Sequence, residues 1–447
     1  MTRVDTSTVP LSGWARYPII DCRQNVPRDD SEAATVYDGS KPLITRGNGR
    51  AYGDAALNAS GVLATVRLNR MLAFHSEDGV LTCEAGVLLA DIISVFLPRG
   101  WFPLVSPGTR FVTVGGLIAA DVHGKNHHQV GSFCNHLLWL DLMLPTGDII
   151  RCSPTLMPDL FAATCGGMGL TGTILRASFR LQPVQTGMIR QETKPAANLD
   201  EAFAIFEAEL KQPYSVAWID GLATGDAVGR SVVFVGSHAG REDWPSGRGD
   251  PLQVPPPNPK RIPFDFPALA LSRTSMRLMN GVYRRAQRSG TNAIDVYRYF
   301  YPLDALLDWN RVYGRRGFMQ YQCVLPLTES RDGIARLLRE IAKYGEASFL
   351  SVLKRMGPSS FGYLSFPFEG YTLAMDFPVT QANLDLLDRL DKIVLEHNGR
   401  LYLAKDSRAA PDTIAAGYPL LEQFREVRLR YGLKGQVESH LSRRLEL

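Results

Sequence analysis

Three glycine-rich loops carry the residue types that hold anions. The first reads Thr45-Arg46-Gly47-Asn48-Gly49-Arg50-Ala51-Tyr52-Gly53-Asp54-Ala55. Glycines let successive backbone N–H groups converge on one anion, and Arg46 and Arg50 add positive charge. The second starts at Pro107-Gly108-Thr109 and runs on through Thr113-Val114-Gly115-Gly116, Ala120-Asp121-Val122-His123-Gly124 and Lys125-Asn126-His127-His128. The third is Cys165-Gly166-Gly167-Met168-Gly169-Leu170-Thr171-Gly172. A single loop of this kind is ordinarily a structural turn. Three of them between Thr45 and Gly172, with Arg and Thr donors, point to a ligand that carries a pyrophosphate. The third loop contains G-x-G-x-x-G at Gly167, Gly169 and Gly172, but the dinucleotide pattern needs a strand before it and a helix after it. Here the order is helix, loop, strand, and in the first loop Tyr52 stands where the last glycine should be. A nicotinamide dinucleotide site is therefore disfavoured.

Two further sets of residues could do chemistry. His123, His127, His128 and His136 invite a metal, yet Gly124 breaks the helix that would align them, and no Cys or carboxylate completes a tight cluster. Cofactor or other polar contacts are expected instead, with no metal. In Phe318-Met319-Gln320-Tyr321-Gln322-Cys323 the two glutamines share one strand face, and Ala374 shares a face with Asp376 in Leu373–Phe377. Polar side chains alternating within apolar strands fit a sheet face that lines a polar cavity. Asp376 is not assigned to the site.

The elements that position these residues fall into two textures. Up to about residue 185, short strands (42–45, 62–66, 81–84, 172–181) alternate with irregular loops, a helix over 87–97, a hairpin at 137–152 and a short helix over 158–164. This half reads as α+β, too irregular for a βαβ array. From 186 to 400, strands at 215–220, 231–236, 318–327, 348–354 and 371–379 combine with helices at 199–210, 331–344 and 384–396, a sheet with helices on one face. Residues 240–267, rich in Pro and Gly, read as a mobile loop. Short helices fill 401–447.

Composition bounds the function classes. With 447 residues, 45% apolar and 21% charged, the chain has room for two or three globular domains, which excludes disorder as its main state. No apolar run approaches the ~18 residues that span a bilayer. Met1–Pro18 contains Arg3 and Arg16 and no apolar stretch, unlike a secretory signal. A cytoplasmic address is expected. The six cysteines show no CxxC spacing and read as free buried thiols. The net charge of +4 is too small to argue for nucleic acid. Its distribution is uneven, since Asn258–Gly290 holds seven basic residues and one acid. That segment also carries Ile262, Phe264, Phe266, Leu269, Leu271, Met276, Leu278, Met279, Val282 and Tyr283, a combination that fits docking on an anionic membrane surface.

The glycine loops, with PGT, TVGG, ADVHGKNHH and GGMGLTG, resemble the FAD-binding domain of the vanillyl-alcohol oxidase (PCMH-type) superfamily. More narrowly, HGKNHH, Gln320-Tyr321-Gln322, Leu401-Tyr402-Leu403-Ala404-Lys405-Asp406-Ser407-Arg408 and the closing RRLEL resemble the decaprenylphosphoryl-β-D-ribose 2-oxidase family. The resemblance covers nearly the whole chain. It implies a two-domain α+β fold, with an FAD domain over 1–185, a substrate domain over 186–400 and a C-terminal segment over 401–447 that returns to the FAD domain. Carried over by motif, the FAD contacts are Thr45 to Ala55, Gly108, Thr113 to Gly116, Ala120 to His123, Ile174 and Tyr402. Many relatives link the flavin to a His of the first loop. Arg50-Ala51-Tyr52 stands there here, which implies non-covalent FAD.

The implied reaction oxidises the 2-hydroxyl of a polyprenylphosphoryl-β-D-ribose to a ketone, the first half of an epimerisation to the arabinose. Lys405 is the first choice for the hydroxyl proton and Tyr52 the alternative. Lys354, Gln320, Gln322, His123, Lys125 and Ala374 are implied to line the substrate pocket. Many mycobacterial members have a Cys in place of Ala374, where nitroaromatic inhibitors attach, so inhibitor behaviour is put in doubt but not turnover. Implied partners are the lipid substrate, an NAD(P)H-dependent short-chain reductase and the cytoplasmic surface of the inner membrane. The rival readings are a soluble sugar-alcohol or aldonolactone oxidase and a non-catalytic flavin-binding subunit.

Overall fold

Three sheets carry the strands that position the site. The computed structural model describes residues 5–37, 39, 41–244, 249–267, 271–344 and 351–447. Among them, a four-stranded sheet runs in the order Asp5–Ser12, Ile19–Val26, Val62–Ala64, Ile44–Arg46. The first pair is antiparallel and the other two pairings are parallel. A second, antiparallel sheet runs Met71–His75, Val80–Glu84, Thr173–Pro183, Leu137–Met143, Ile149–Cys152, with Trp101–Pro103 joined to the long strand. The expected helix at 158–164 is Pro158–Thr164, opened by a proline whose missing N–H costs nothing at that position. The third glycine loop lies between this helix and the strand Thr173–Pro183, so the helix–loop–strand order holds.

The third sheet has eight antiparallel strands among the described residues, in the order Gly290–Asp295, Met188–Ala196, Ser231–His238, Tyr214–Ile219, Ser351–Met356, Gly370–Pro378, Phe318–Pro326, Arg400–Leu401. Its two faces follow strand parity. Tyr321, Cys323 and Leu325 point toward the helices Leu327–Tyr344 and Gln381–Glu396, where Gly333 packs against Leu325. The second helix is capped by Thr380, whose side chain accepts from the Asn383 N–H, and it buries Leu386, Leu387, Leu390, Ile393 and Val394. That i, i+3, i+4 stripe contributes roughly 1.5–3 kcal/mol per aliphatic side chain. Gln320 and Gln322 take the opposite face.

Several expectations are amended. The strands Asp5–Ser12, Ile19–Val26, Met188–Ala196 and Gly290–Asp295 are additional to those the pattern predicts. The expected strand at 348–354 is Ser351–Met356, and 348–350 lie outside the described residues. Within 240–267 the chain forms a short turn at Arg241–Asp243 and a two-residue strand, Lys260–Arg261, parallel to Leu306–Leu307. The basic segment contains the helix Arg273–Ala286, which buries only Met276 and Asn280. After Leu401 the chain returns to the first sheet, where Leu43 bridges Val437 and Asn58 Nδ2 donates to the Glu438 carbonyl at 2.6 Å. All six cysteines are free and buried.

Candidate active site

A cavity of about 540 Å³ lies between the glycine loops and the cavity-facing side of the large sheet. One wall is largely backbone. Thr45, Gly47, Asn48, Gly49, Arg50, Ala51, Tyr52, Ala55, Gly108, Thr113, Gly115, Gly116, Ala120, Val122, His123, Ile174 and Tyr402 all line it. The first and second loops touch where Gly47 meets Thr113, and a Cβ on Gly47 would collide with the Thr113 hydroxyl. At Gly108 no protein atom lies within 4 Å of the place a Cβ would occupy, so that glycine opens directly onto the cavity. The Arg50 guanidinium sits 4.0 Å from the centroid of the Trp14 ring.

Five residues carried over to this wall do not face the cavity. The Arg46 guanidinium turns behind the loop and donates to the Ser12 carbonyl at 2.7 Å. Gly53 packs against the Asp406 carbonyl, with no room for a side chain. Asp54 pairs in two-pronged fashion with Arg444, at 2.9 and 3.1 Å, which ties the C-terminus to the first loop. Val114 is wholly buried in the core. Asp121 accepts from the Cys134 N–H at 3.1 Å and the Ser365 hydroxyl at 2.5 Å. These five shape the loops from behind.

The opposite wall is built from side chains, three of them lysines. Gln320, Gln322, Lys354, Ala374 and Lys405 line it, with Lys125 from the second loop. Two backbone hydrogen bonds place Lys405. The Tyr402 N–H donates to the Gln322 carbonyl at 2.9 Å, and the Tyr52 N–H donates to the Ala404 carbonyl at 2.9 Å. The turn bearing Lys405 is thereby stitched to the glutamine strand and to the first loop. Lys405 Nζ lies 3.5 Å from the centroid of the Tyr52 ring.

Burial dominates the protonation of this wall. Desolvation pulls Lys405 down to about 7, against a counteracting pull from Asp376 and with help from Lys354. It lowers Lys125 to about 7 and Lys354 to about 8. It pushes the Tyr52 phenol far above its ordinary range, and the nearby Asp376 charge adds to that. His123 is held well below the usual imidazole value by burial, then by Lys354, His127 and Lys405. As a neutral ring, His123 accepts at Nε2 from Gln322 at 3.1 Å, which leaves the proton on Nδ1. The other three histidines go elsewhere: His127 Nδ1 accepts from the Gly357 N–H, while His128 and His136 Nε2 donate to the Gln212 and Val130 carbonyls.

Comparison with known proteins gives the chain its family. An FAD binding domain model matches residues 31–153. The decaprenylphosphoryl-β-D-ribose oxidase of Mycolicibacterium smegmatis is 36% identical over 100% of this chain and 99% of its own length. The chain belongs to the decaprenylphosphoryl-β-D-ribose oxidase family. An uncharacterized Streptomyces coelicolor protein from the mprA 5′ region is 37% identical over 81% of this chain and 100% of its own. The L-gulonolactone oxidase of Scyliorhinus torazame reaches 27% over 39% of this chain.

The enzyme is thus an FAD-dependent oxidoreductase, and the residues present fit that cofactor. Among the described residues, Arg50 Nε and His123 Nδ1 are buried without a hydrogen-bond partner. Both are donors beside the cavity, as an anionic, acceptor-rich ligand requires. The open face of Gly108 and the glycines of the first two loops supply close backbone approach. Tyr402, stacked on Phe366 at 4.5 Å, closes the same wall.

Sequence reasoning passed over two members of the constellation. Asp376 is fully buried and accepts from Gln320 Nε2 at 2.7 Å and from the Tyr313 hydroxyl at 3.1 Å. Burial raises its carboxyl to about 7. Its parity with Ala374 is the signal that could have placed it beside the site. Tyr313 carries no comparable signal, because it reaches the site from a short helical turn, Trp309–Tyr313.

Proposed function

We propose that this enzyme oxidises the 2-hydroxyl of a polyprenylphosphoryl-β-D-ribose to the ketone, with Lys405 taking the hydroxyl proton. One observation carries the assignment of the base. Lys405 lines the cavity with its ammonium lowered to about 7, whereas Tyr52, against which it packs, is pushed far from ionising. A base that works near neutrality needs a pKa near the operating pH, and of the two groups only Lys405 has one. FAD, when bound, supplies the acceptor for the hydride that leaves carbon 2. The O–H proton passes to the neutral amine of Lys405, and the carbon–oxygen single bond becomes a double bond. The Tyr52 ring packs against the amine, Gln320 donates to the Asp376 carboxylate, and that carboxylate offsets the charge that Lys405 gains. Non-covalent FAD fits the first loop, which offers Ala51 and Tyr52 but no His or Cys. In this reading residues 1–185 hold the cofactor, 186–400 the lipid-phosphoryl sugar, and 401–447 deliver Lys405 and return to the first sheet.

Anaerobic addition of a polyprenylphosphoryl ribose should bleach the flavin, and free polyols should not. Equal bleaching by polyols would make this a sugar-alcohol oxidase. No bleaching by either would leave a flavin-binding subunit.

The same reading requires the active site to meet a lipid at the membrane. No helix of the described residues is long and apolar enough to cross a membrane. The helix Arg273–Ala286 exposes Leu278 (71%) and Val282 (58%), and Phe264 (60%) is exposed nearby in the chain. Leu269 lies outside the described residues. Asp265 pairs with Arg16 and Arg261 with Asp308, so the basic charge on offer is that of Lys260, Arg273, Arg277, Arg284, Arg285 and Arg288. Tyr283 and Gln287, beside those arginines, line the cavity. This helix docks on an anionic leaflet on the cytoplasmic side, each arginine contributing about 1 kcal/mol. Co-sedimentation with anionic liposomes should fall with added salt and in Arg285→Ser/Arg288→Ser. Salt-independent sedimentation would remove the helix from that role. The keto product then needs a hydride donor of the NAD(P)H-dependent short-chain reductase class to complete the epimerisation.

A further inference from the structure

Two of the three lysines in the cavity have no visible reason to be charged there. Lys405 has Asp376 as its counter-charge. Among the described residues, no carboxylate lies within ion-pair distance of Lys125 or Lys354. Lys125 donates one N–H to the Tyr299 carbonyl and lies 4.2 Å from the centroid of that ring. The Lys354 ammonium makes no hydrogen bond to the described residues, and its charge bears on Lys125, His123 and Lys405. Desolvating two neighbouring cations without an anion is costly, and chains keep such pairs where a ligand supplies the missing charge.

The sheet register locates this pair along the cavity. Gln322, Ala374, Val352 and Trp218 stand directly opposite one another on four successive strands, in that order. At about 4.8 Å per strand, the row spans roughly 14 Å. Gln322 and Lys405 mark one end, where the hydroxyl is oxidised. Trp218 marks the other, with its ring 4.8 Å from Tyr283 of the basic amphipathic helix. Lys354 is two residues from Val352 on the same cavity-facing side, between the two ends. Its neighbours toward the exit, Val216, Phe234 and Trp218, line the cavity and carry no charge.

We infer that Lys125 and Lys354 form a phosphodiester subsite, which holds the phosphate between a sugar at Lys405 and an apolar chain leaving past Trp218 and Tyr283. The inference rests on the lipid-phosphoryl sugar reading and divides that substrate into three places: sugar, phosphate and tail. It assigns Lys354 and Lys125 to binding and leaves Lys405 to the proton. The phosphate would complete the hydrogen bonding of both ammoniums and neutralise charge that burial makes costly.

The test uses the FAD-loaded enzyme and a probe that cannot be oxidised. A short polyprenyl methyl phosphodiester, lacking ribose, is titrated calorimetrically beside the corresponding uncharged polyprenyl methyl ether. The phosphodiester should bind at least about tenfold more tightly than the ether, and Lys354→Met and Lys125→Met should each remove about tenfold, the scale of a charge-assisted hydrogen bond. Lys354→Arg should keep most of the affinity. A second readout separates this from a structural role: Lys354→Met, by deleting an unpaired desolvated cation, should not lower the melting temperature. Should that variant lose its flavin, Lys125→Met and Lys354→Arg carry the comparison. Equal affinity for phosphodiester and ether, or unchanged affinity in the methionine variants, overturns the subsite. Lysine-dependent binding without flavin reduction by a polyprenylphosphoryl ribose keeps the subsite and sinks the catalytic reading. Reduction with lysine-independent binding does the reverse.

Discussion

The two walls of the cavity use different parts of the polypeptide. The wall formed by the glycine loops works through backbone, and its few side chains are held across segments, Arg50 against Trp14 and Phe111 and Thr113 against Gly47. The sheet wall works through side chains whose protonation is set by burial, with Lys405, Lys354 and Asp376 all moved toward neutrality. A backbone wall is indifferent to pH and intolerant of volume. A side-chain wall tolerates small changes in volume and is sensitive to each charge. The first suits a cofactor that stays, and the second a substrate that must be bound, deprotonated and released.

The sharpest way to break this division is to remove the one amine assigned to proton transfer. Lys405→Ala should keep the flavin spectrum, because its one contact with the glycine wall is the Tyr52 ring, and the backbone bond from Tyr52 to Ala404 survives the change. It should slow anaerobic flavin reduction by a factor on the order of 100 or more, the scale of general-base catalysis. Near-normal reduction would return the proton to Tyr52 despite its raised pKa.

The glycine wall is tested by volume. A methyl group at Gly47 meets the Thr113 hydroxyl, which also caps the helix Val114–Ala119 by accepting from the Gly116 N–H at 3.2 Å. Gly47→Ala therefore strains both loops together, at roughly 1–3 kcal/mol for overpacking. The expected result is weaker FAD retention, about fivefold or more by fluorescence titration of the apoprotein, with little change in the pH dependence of the enzyme that remains loaded. Full FAD affinity would mean that the two loops do not cooperate in holding the cofactor.

What the sequence discloses divides along the same line. The glycine loops are legible because a conformational need leaves a compositional mark. The strand Phe318–Pro326 and the parity of Gln320 and Gln322 are legible because both faces are buried and the period is two. Arg46 and Asp54 read as ligand-facing and are not, since their partners are Ser12 and Arg444, the latter 390 residues away. Side-chain direction in a loop is settled by such distant partners and leaves no local trace. The strand Met188–Ala196 is hidden by its charged residues, Arg190, Glu192 and Lys194, and is held by pairing on both edges. The helix Arg273–Ala286 is seated by Met276 and by Asn280, whose amide donates to Asp220 at 2.8 Å, too narrow a stripe to announce itself.

Proton dependence sharpens the comparison further. Lys405, at about 7, must lose its proton to act, so kcat/KM should rise as pH climbs to 7. Lys354, at about 8, must keep its proton to hold a phosphate, so kcat/KM should fall above 8. The free-enzyme profile is then a narrow bell whose acid limb changes about tenfold per pH unit. Lys125, at about 7, must keep its proton as well, so the decline starts near 7 and becomes steeper than about tenfold per unit above 8. In Lys354→Met the steep decline above 8 should soften while the acid limb stays. An acid limb that survives in Lys405→Ala would belong to another group, with Asp376 the nearest carboxyl of matching pKa.

The smallest expected effect on turnover comes from the position where this chain departs from many of its relatives. Ala374 lines the cavity directly opposite Gln322, on the side-chain wall. Its methyl group takes no part in holding a charge, and adding a sulfur there leaves the lysines and Asp376 in place. Ala374→Cys should therefore alter flavin reduction less than about twofold, within the range of a tolerated, volume-similar change. Covalent chemistry should change completely. None of the six cysteines lines the cavity, and Cys323, the one beside Gln322 in sequence, points to the helix-covered face with its thiol raised to about 12 by burial. A nitroaromatic of the benzothiazinone type, turned over with substrate, should add no mass to the wild-type protein and one equivalent to Ala374→Cys, read by intact-mass measurement. An adduct on the wild type would show that one of the six buried thiols reaches the cavity during turnover. The sheet wall would then open in a way that its packing against the helices Leu327–Tyr344 and Gln381–Glu396 argues against.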